Sequence, residues 1–135
     1  MRKIILAINP GATSTKIAVY DGTTNCFTQN IKHSLDELSQ FAHITDQYDY
    51  RKQVILDVLK EQNIDLKSIA IIMGRGGLIK PIQSGVYRVN DLMKEHLLSG
   101  YNGVHACNLG GLIADSLAHM IGLKEAFICD PVVVD

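Results

Sequence analysis

Residues 4–8 form an unbroken apolar run that stops at Asn9-Pro10-Gly11. That pattern predicts a strand buried on both faces and closed by a turn. Residues 15–20 alternate instead, with Ile17 and Val19 on one side and Lys16, Ala18 and Tyr20 on the other, so a half-exposed strand is expected. Asp21-Gly22 then leads into a polar, β-rich stretch over residues 23–29. The dipeptide predicts a hairpin with a type I′ turn, and the first thirty residues read as a three-stranded meander.

Helical signals follow. Ser34 and Glu37 stand at the spacing of a capping box and predict a short helix, while Asp46 is expected to cap a longer one. In the longer helix Tyr50, Val54, Val58 and Gln62 share a stripe flanked by Ile55 and Leu59. After the turn-like Asn63-Ile64-Asp65, residues 69–73 make another wholly apolar strand, which runs into Gly74-Arg75-Gly76-Gly77. Asn90 suits the cap of a helix ending at Gly100. Residues 106–121 carry Leu109, Leu112, Ile113, Leu117, Met120 and Ile121 at helical intervals. Residues 126–129 are a last short strand before Asp130-Pro131. The order strand, strand, strand, helix, strand, helix, strand predicts an α/β domain with a mixed five-stranded sheet, a meander continued by right-handed crossovers.

Composition narrows the function classes. The chain has 135 residues, 47% hydrophobic and 20% charged, which suits one packed domain. Thirteen basic against fourteen acidic residues leave a net charge of -1, with no block of like charge, so a nucleic-acid partner is not expected. Cys26, Cys107 and Cys129 are odd in number and lack metal spacing; a reducing, cytoplasmic setting fits them. The basic start followed by the first apolar run mimics a signal peptide, but the run is too short, and no other approaches a membrane span.

If the first, fourth and fifth strands are parallel, their carboxyl ends share one edge of the sheet, where open α/β sheets bind ligands. That edge would gather residues 9–16 (Asn-Pro-Gly-Ala-Thr-Ser-Thr-Lys), residues 74–77 and Asp130. Glycine backbone and the hydroxyls of Thr13, Ser14 and Thr15 suit phosphate oxygens. Arg75 suits a carboxylate or a phosphoryl group, and Asp130 suits Mg²⁺. Together these are the parts of a phosphoryl-transfer site. Each has a plainer reading: Asn-Pro-Gly is common turn chemistry, the glycine run an irregular loop, and Asp-Pro a turn starter. His33, His43, His96 and His119 read as surface or packing residues. His105, just ahead of a helix, could face an anion or simply belong to a cap.

These stretches resemble the butyrate kinases, within the acetate kinase branch of the actin-like ATPase superfamily, whose fold is ribonuclease H-like. The resemblance is carried by residues 8–16, 74–82, 87–90, 105–110 and 130–135 and covers essentially the whole chain. It implies an ATP- and Mg²⁺-dependent phosphotransferase that makes an acyl phosphate from butyrate or a similar short-chain acid. On this resemblance Asn9, Gly11, Thr13, Ser14 and Lys16 bind the nucleotide phosphates. Asp130 is the catalytic aspartate and, with Asn9, holds the metal. His105 contacts the transferred phosphoryl, and Arg75, with Gly76 and Gly77, binds the carboxylate. Acetate kinases carry a longer Arg-Val-Val-His-Gly-Gly version of the arginine segment, and Gln83-Ser84 departs from the family's Pro-Gly.

The family's proteins are longer, two-domain enzymes that form homo-oligomers. The expectation is that residues 1–135 make a truncated amino-terminal domain, without the second nucleotide-binding domain and inactive alone. Two alternatives stand beside the butyrate reading: a non-catalytic phosphate- or partner-binding domain, and a kinase for acetate or a branched short-chain acid.

Overall fold

The opening apolar run forms β1 (Ile4–Pro10), and the alternating segment after it forms β2 (Ser14–Asp21). The structure, a computed structural model, describes residues 3–75, 86–89, 93–94 and 109–129. β3 (Thr24–Lys32) completes the meander, pairing antiparallel with β2. The β2–β3 turn differs from the expected type I′. Gly22 has φ +62°, and Thr23 does not share a positive φ, which is the glycine-first pattern of a type II′ turn. The ladder slips between Val19 and Tyr20, whose partners are Phe27 and Asn25, so Cys26 is the extra residue of a bulge.

The capping box forms as expected. Ser34 Oγ accepts from the Glu37 amide at 3.1 Å and donates to the Glu37 carboxylate at 2.9 Å, opening the short α1 (Leu35–Leu38). Asp46 does not cap the longer helix. It sits within a 3₁₀ turn (Ile44–Gln47) and accepts from the His43 amide at 3.2 Å, and that turn feeds directly into α2 (Tyr48–Glu61). The buried stripe of α2 is also rotated from the expected one. Arg51, Ile55, Val58 and Leu59 face inward, because the Arg51 guanidinium finds polar partners inside that Tyr50 and Val54 do not displace. The helix ends where Asn63 takes φ +57° and the Ile64 amide returns to the Leu59 carbonyl at 2.9 Å, a left-handed cap.

A second 3₁₀ turn (Leu66–Ser68) leads into β4 (Ile69–Arg75), which runs parallel to β1. β5 (Val86–Arg88), α3 (Leu109–Met120) and β6 (Phe127–Cys129) follow, and Met93 and Lys94 are also helical. The sheet order is β3-β2-β1-β4-β6-β5. All five expected strands are present. The sixth, β5, is three residues long and antiparallel to β6; a tripeptide ending in an arginine has no periodicity to reveal it. The caps expected at Asn90 and Gly100 lie outside the described residues.

The core lies between the sheet and α2 with α3. Leu6, Ile8, Ile17, Val19 and Ile72 from the strands meet Ile55, Leu59, Leu109, Ile113 and Leu117 from the helices. α3 presses hardest on β4 at Gly74. A Cβ placed there would stand inside contact distance of the Gly110 carbonyl and 2.9 Å from the Gly111 nitrogen. Only a residue without a side chain lets helix and strand approach this closely. Among the described residues no helix is long and apolar enough to cross a membrane.

Candidate phosphate-binding site

Three parallel strands end together. Ile8 of β1 stands beside Gly74 of β4, and Arg75 at the end of β4 stands beside Cys129 at the end of β6. The link between β1 and β2 projects from this edge, since Pro10 closes β1 and Ser14 opens β2. It is tight, with the Gly11 amide donating to the Ser14 carbonyl at 2.7 Å. The sequence expectation of one edge gathering these strand ends is therefore met for the described segments.

Register decides which side chains face outward. Asn9 is the partner of Lys16 across β1 and β2, Lys16 is the partner of Asn30 across β2 and β3, and Ser14 is the partner of Lys32. Cross-strand partners point to the same face, and residues two apart on a strand share it. Asn9, Ser14, Lys16, Asn30 and Lys32 therefore occupy one face, opposite buried Thr15 and Ile17. Asn9, Lys16, Asn30 and Lys32 are exposed. Neither lysine has a carboxylate within ion-pairing distance among the described residues. An open depression of about 440 Å³ lies here, lined by Thr13, Ser14, Asn30, Lys32, His33 and Leu35. Hydroxyls, a carboxamide and the Lys32 ammonium in such a hollow, with Lys16 on the same face, suit an anion with several oxygen atoms.

The inward side of the hairpin is held by a buried polar network. Arg51 has no solvent exposure. Its Nη1 donates to the Ser14 carbonyl at 2.8 Å and to Thr15 Oγ1 at 3.2 Å, and its Nη2 donates to the Ala12 carbonyl at 3.1 Å. Nε and Nη2 also donate to Gln47 Oε1, at 3.0 and 2.8 Å. Thr15 Oγ1 lies 2.8 Å from His33 Nε2, while His33 Nδ1 lies 3.2 Å from the Tyr50 hydroxyl. The Thr13 carbonyl accepts from the His33 amide at 2.9 Å. The Tyr50 hydroxyl bonds the Glu37 carboxylate, which only accepts, so Tyr50 accepts from His33 Nδ1 and the Thr15 hydroxyl donates to Nε2. Neutral His33 then carries its own proton on Nδ1. Burial, and next the Arg51 charge, hold His33 below the ordinary imidazole value, against a smaller upward pull from Glu37. The Ser34 and Tyr50 hydroxyls lower the Glu37 carboxyl, and burial with the bond to Glu37 raises Tyr50.

The residues expected to bind nucleotide thus divide. Asn9, Gly11, Thr13, Ser14 and Lys16 lie together on or beside the outward face of the hairpin. Thr15, expected to add a donor there, turns its hydroxyl inward to Arg51 and His33. Arg75 has its backbone at the carboxyl edge, but its side chain lies outside what is described. Gly76, Gly77, His105 and Asp130 also lie outside the described residues; Asp130 follows Cys129 directly in the chain. Among the described residues no group of three or more His, Cys, Asp or Glu could hold a metal. Sequence reading missed Asn30, Lys32 and Arg51. Lys32 and Asn30 could have been found by extending the hairpin register one strand outward from Lys16. Arg51 gave no signal, since an arginine on an amphipathic helix reads as solvent-facing.

No family model matches the chain. Two butyrate kinases of Clostridium acetobutylicum do. Butyrate kinase 1 is 51% identical over 97% of this chain and 37% of its own length, and butyrate kinase 2 is 47% identical over 100% and 38%. The chain is homologous over its length to a region of butyrate kinases, and it spans little more than a third of those relatives. Among solved structures, Porphyromonas gingivalis acetate kinase matches with TM-score 0.56 at 12% identity, over 94% of this chain and 37% of that one. An Aquifex aeolicus PPX-GPPA enzyme matches with TM-score 0.54 at 12% identity, over 96% and 54%. At such identities the likeness shows the fold, that of the acetate kinases and the actin-like ATPases.

Proposed function

We propose that the complete protein transfers the terminal phosphoryl group of ATP to butyrate or a similar short-chain carboxylate. A carboxylate oxygen attacks the γ-phosphorus, the bond to the bridging oxygen breaks, and ADP leaves with the electron pair. The products are an acyl phosphate and ADP. The observation that carries this reading is the outward row of Asn9, Ser14 and Lys16 at the carboxyl edge of β1, in a chain half identical to a butyrate kinase.

In this reading Thr13 presents its backbone amide, Ser14 its hydroxyl, and Lys16 its charge to the nucleotide phosphates, while Gly11, whose own amide closes the turn on Ser14, leaves the space beside the Ser14 hydroxyl open to them. Phosphoryl transfer asks mainly for such positioning and charge neutralisation. Arg75, with Gly76 and Gly77, grips the acceptor carboxylate; Asp130 and His105 serve the transferred group. The exposed carboxamide of Asn9 offers a hard oxygen, the donor class Mg²⁺ takes while keeping several waters. Asn9 and Asp130 would hold that ion, which supplies charge neutralisation between the phosphates.

The test is acyl phosphate formation by the protein at its full natural length, trapped with hydroxylamine, with butyrate, acetate and a branched acid compared. ATP-dependent hydroxamate from butyrate, abolished by Asp130→Asn in a folded variant, is the expected result. No ATP-dependent product from any acid would overturn the kinase reading, and a preference for acetate would correct the substrate.

A further inference from the structure

Arg51 is a wholly buried cation without a counter-charge among the described residues. Its five hydrogen bonds all go to neutral acceptors: the carbonyls of Ala12 and Ser14, the Thr15 hydroxyl and the Gln47 carboxamide. No carboxylate pairs with it among the described residues. Removing an ion from water without an opposite charge is costly, and buried arginines are as a rule paired with acids. Burial lowers the affinity of Arg51 for its proton, yet a guanidinium stays charged far above neutral pH. An unbalanced positive charge therefore sits directly beneath the β1–β2 hairpin, whose outward face carries Ser14 and Lys16.

The direction of the bonds adds a second effect. The Ala12–Thr13 peptide is trans, so its carbonyl and amide point opposite ways. With the Ala12 carbonyl fixed on Arg51, the Thr13 amide is turned away from the core, toward the outward face. The Thr13 carbonyl is in turn fixed on the His33 amide. The hairpin is thus pinned from within by its carbonyls, and its donor side is left to a ligand.

We propose that Arg51 is the positioning residue of this anion site: it sets the hairpin's donors outward, and its unpaired charge is balanced when phosphate binds on the far side of the backbone. This rests on the phosphate-binding reading of the hairpin. It does not require the acceptor to be butyrate. Arg51 itself touches no ligand.

The experiment measures dissociation constants of ATP and of inorganic phosphate by calorimetry, with thermal unfolding in parallel. It compares the full-length protein with Arg51→Lys and Arg51→Gln. Lysine keeps the charge and loses the fork; glutamine keeps a donor and loses the charge. For Arg51→Gln we expect ATP to bind at least about tenfold more weakly, equivalent to about 1.4 kcal/mol. Arg51→Lys should fall between it and the parent. Ranking by charge, even where the two variants unfold at similar temperatures, is a result that a purely structural arginine does not give.

Wild-type ATP or phosphate affinity in both variants would overturn the inference, as would equal losses in both. If Arg51→Gln fails to fold, Arg51→Lys with Thr15→Val, which removes one neutral partner and leaves the charge, decides it. Near-parental affinity in Thr15→Val with a loss in Arg51→Lys supports the inference, and the reverse overturns it. Should the parent bind phosphate in an Arg51-dependent way but not turn over ATP, the kinase reading falls and the inference stands. A parent that binds neither probe overturns both.

Discussion

Thr15 Oγ1 and His33 Nε2 lie 2.8 Å apart inside the protein, joined across 18 residues of chain. With the proton of neutral His33 held on Nδ1 by Tyr50, Nε2 accepts from the Thr15 hydroxyl, whose oxygen also accepts from Arg51 at 3.2 Å. Protonating His33 would turn Nε2 into a donor, leave the Thr15 proton without this acceptor, and bring a second charge toward the guanidinium.

Stability should therefore fall on acidification. The charged and titratable groups around His33 are Arg51, Glu37 and Tyr50. With its folded value depressed, His33 takes up a proton more readily in the unfolded chain. The unfolded state then holds more protons, and stability rises with pH. The His33 contribution is complete above the unfolded value near pH ~6.5, and it is lost as pH falls through the folded value. Thermal unfolding followed from pH 7.5 down to pH 5 should show this decline, and His33→Gln should flatten it. An unchanged slope in His33→Gln would remove His33 from the account.

Gly74→Ala tests the contact between β4 and α3. The added methyl meets Gly110 and Gly111 backbone, which cannot rotate aside as a side chain would. We expect a loss of about 1–3 kcal/mol, the usual range for overpacking, and a larger one for Gly74→Val. Chemical denaturation of the parent and the two variants would measure it. A melting curve unchanged by Gly74→Ala would show that helix and strand can separate freely.

At the outward face, Lys16→Met should leave the fold intact, since Lys16 is exposed and unpaired among the described residues. Surface changes of this kind stay within about 0.5 kcal/mol. ATP binding should weaken by about tenfold or more, as expected for a lost charge-assisted contact of about 1.5–3 kcal/mol. Isothermal titration of the full-length protein checks it, and undiminished affinity would take Lys16 out of the site.

Asn63 ends α2 with φ +57°, a conformation that asparagine tolerates and alanine resists. Asn63→Gly should leave stability equal or slightly higher, whereas Asn63→Ala should cost about 1 kcal/mol. Urea midpoints of the two variants would show the ordering, and equal midpoints would count against the left-handed cap.

Much of this architecture is legible in the sequence because the signals are local. The apolar run of β1, the alternation of β2 and the Ser34–Glu37 box each depend on a few neighbouring residues. The parallel placement of β1, β4 and β6 was also within reach, since crossover connections leave little choice. The type II′ turn at Gly22 was not, because Asp-Gly favours a different register of the same hairpin. Arg51 was the larger omission. Its burial is set by carbonyls 37 and 39 residues away, and nothing nearby in the chain marks it. The same holds for the inward turn of Thr15, which depends on partners in β3 and α2. For Arg75 the strand end is fixed by pairing with Cys129, while Gly76, Gly77 and Asp130 rest on the strand-end reading together with the resemblance to butyrate kinases, and the role of His105 rests on that resemblance.

The bulge at Cys26 has a consequence for how β3 meets other molecules. β3 closes one side of the sheet, and a long unpaired strand margin invites a second chain to zip onto it. Here the irregular step near Cys26 interrupts the repeat, and Thr24, Asn25, Thr28 and Asn30 leave the margin polar and exposed. A foreign strand would find a regular template only along the second half of β3, where Lys32 brings a charge. The slip that looks like a flaw in pairing therefore works as a guard against unwanted strand addition.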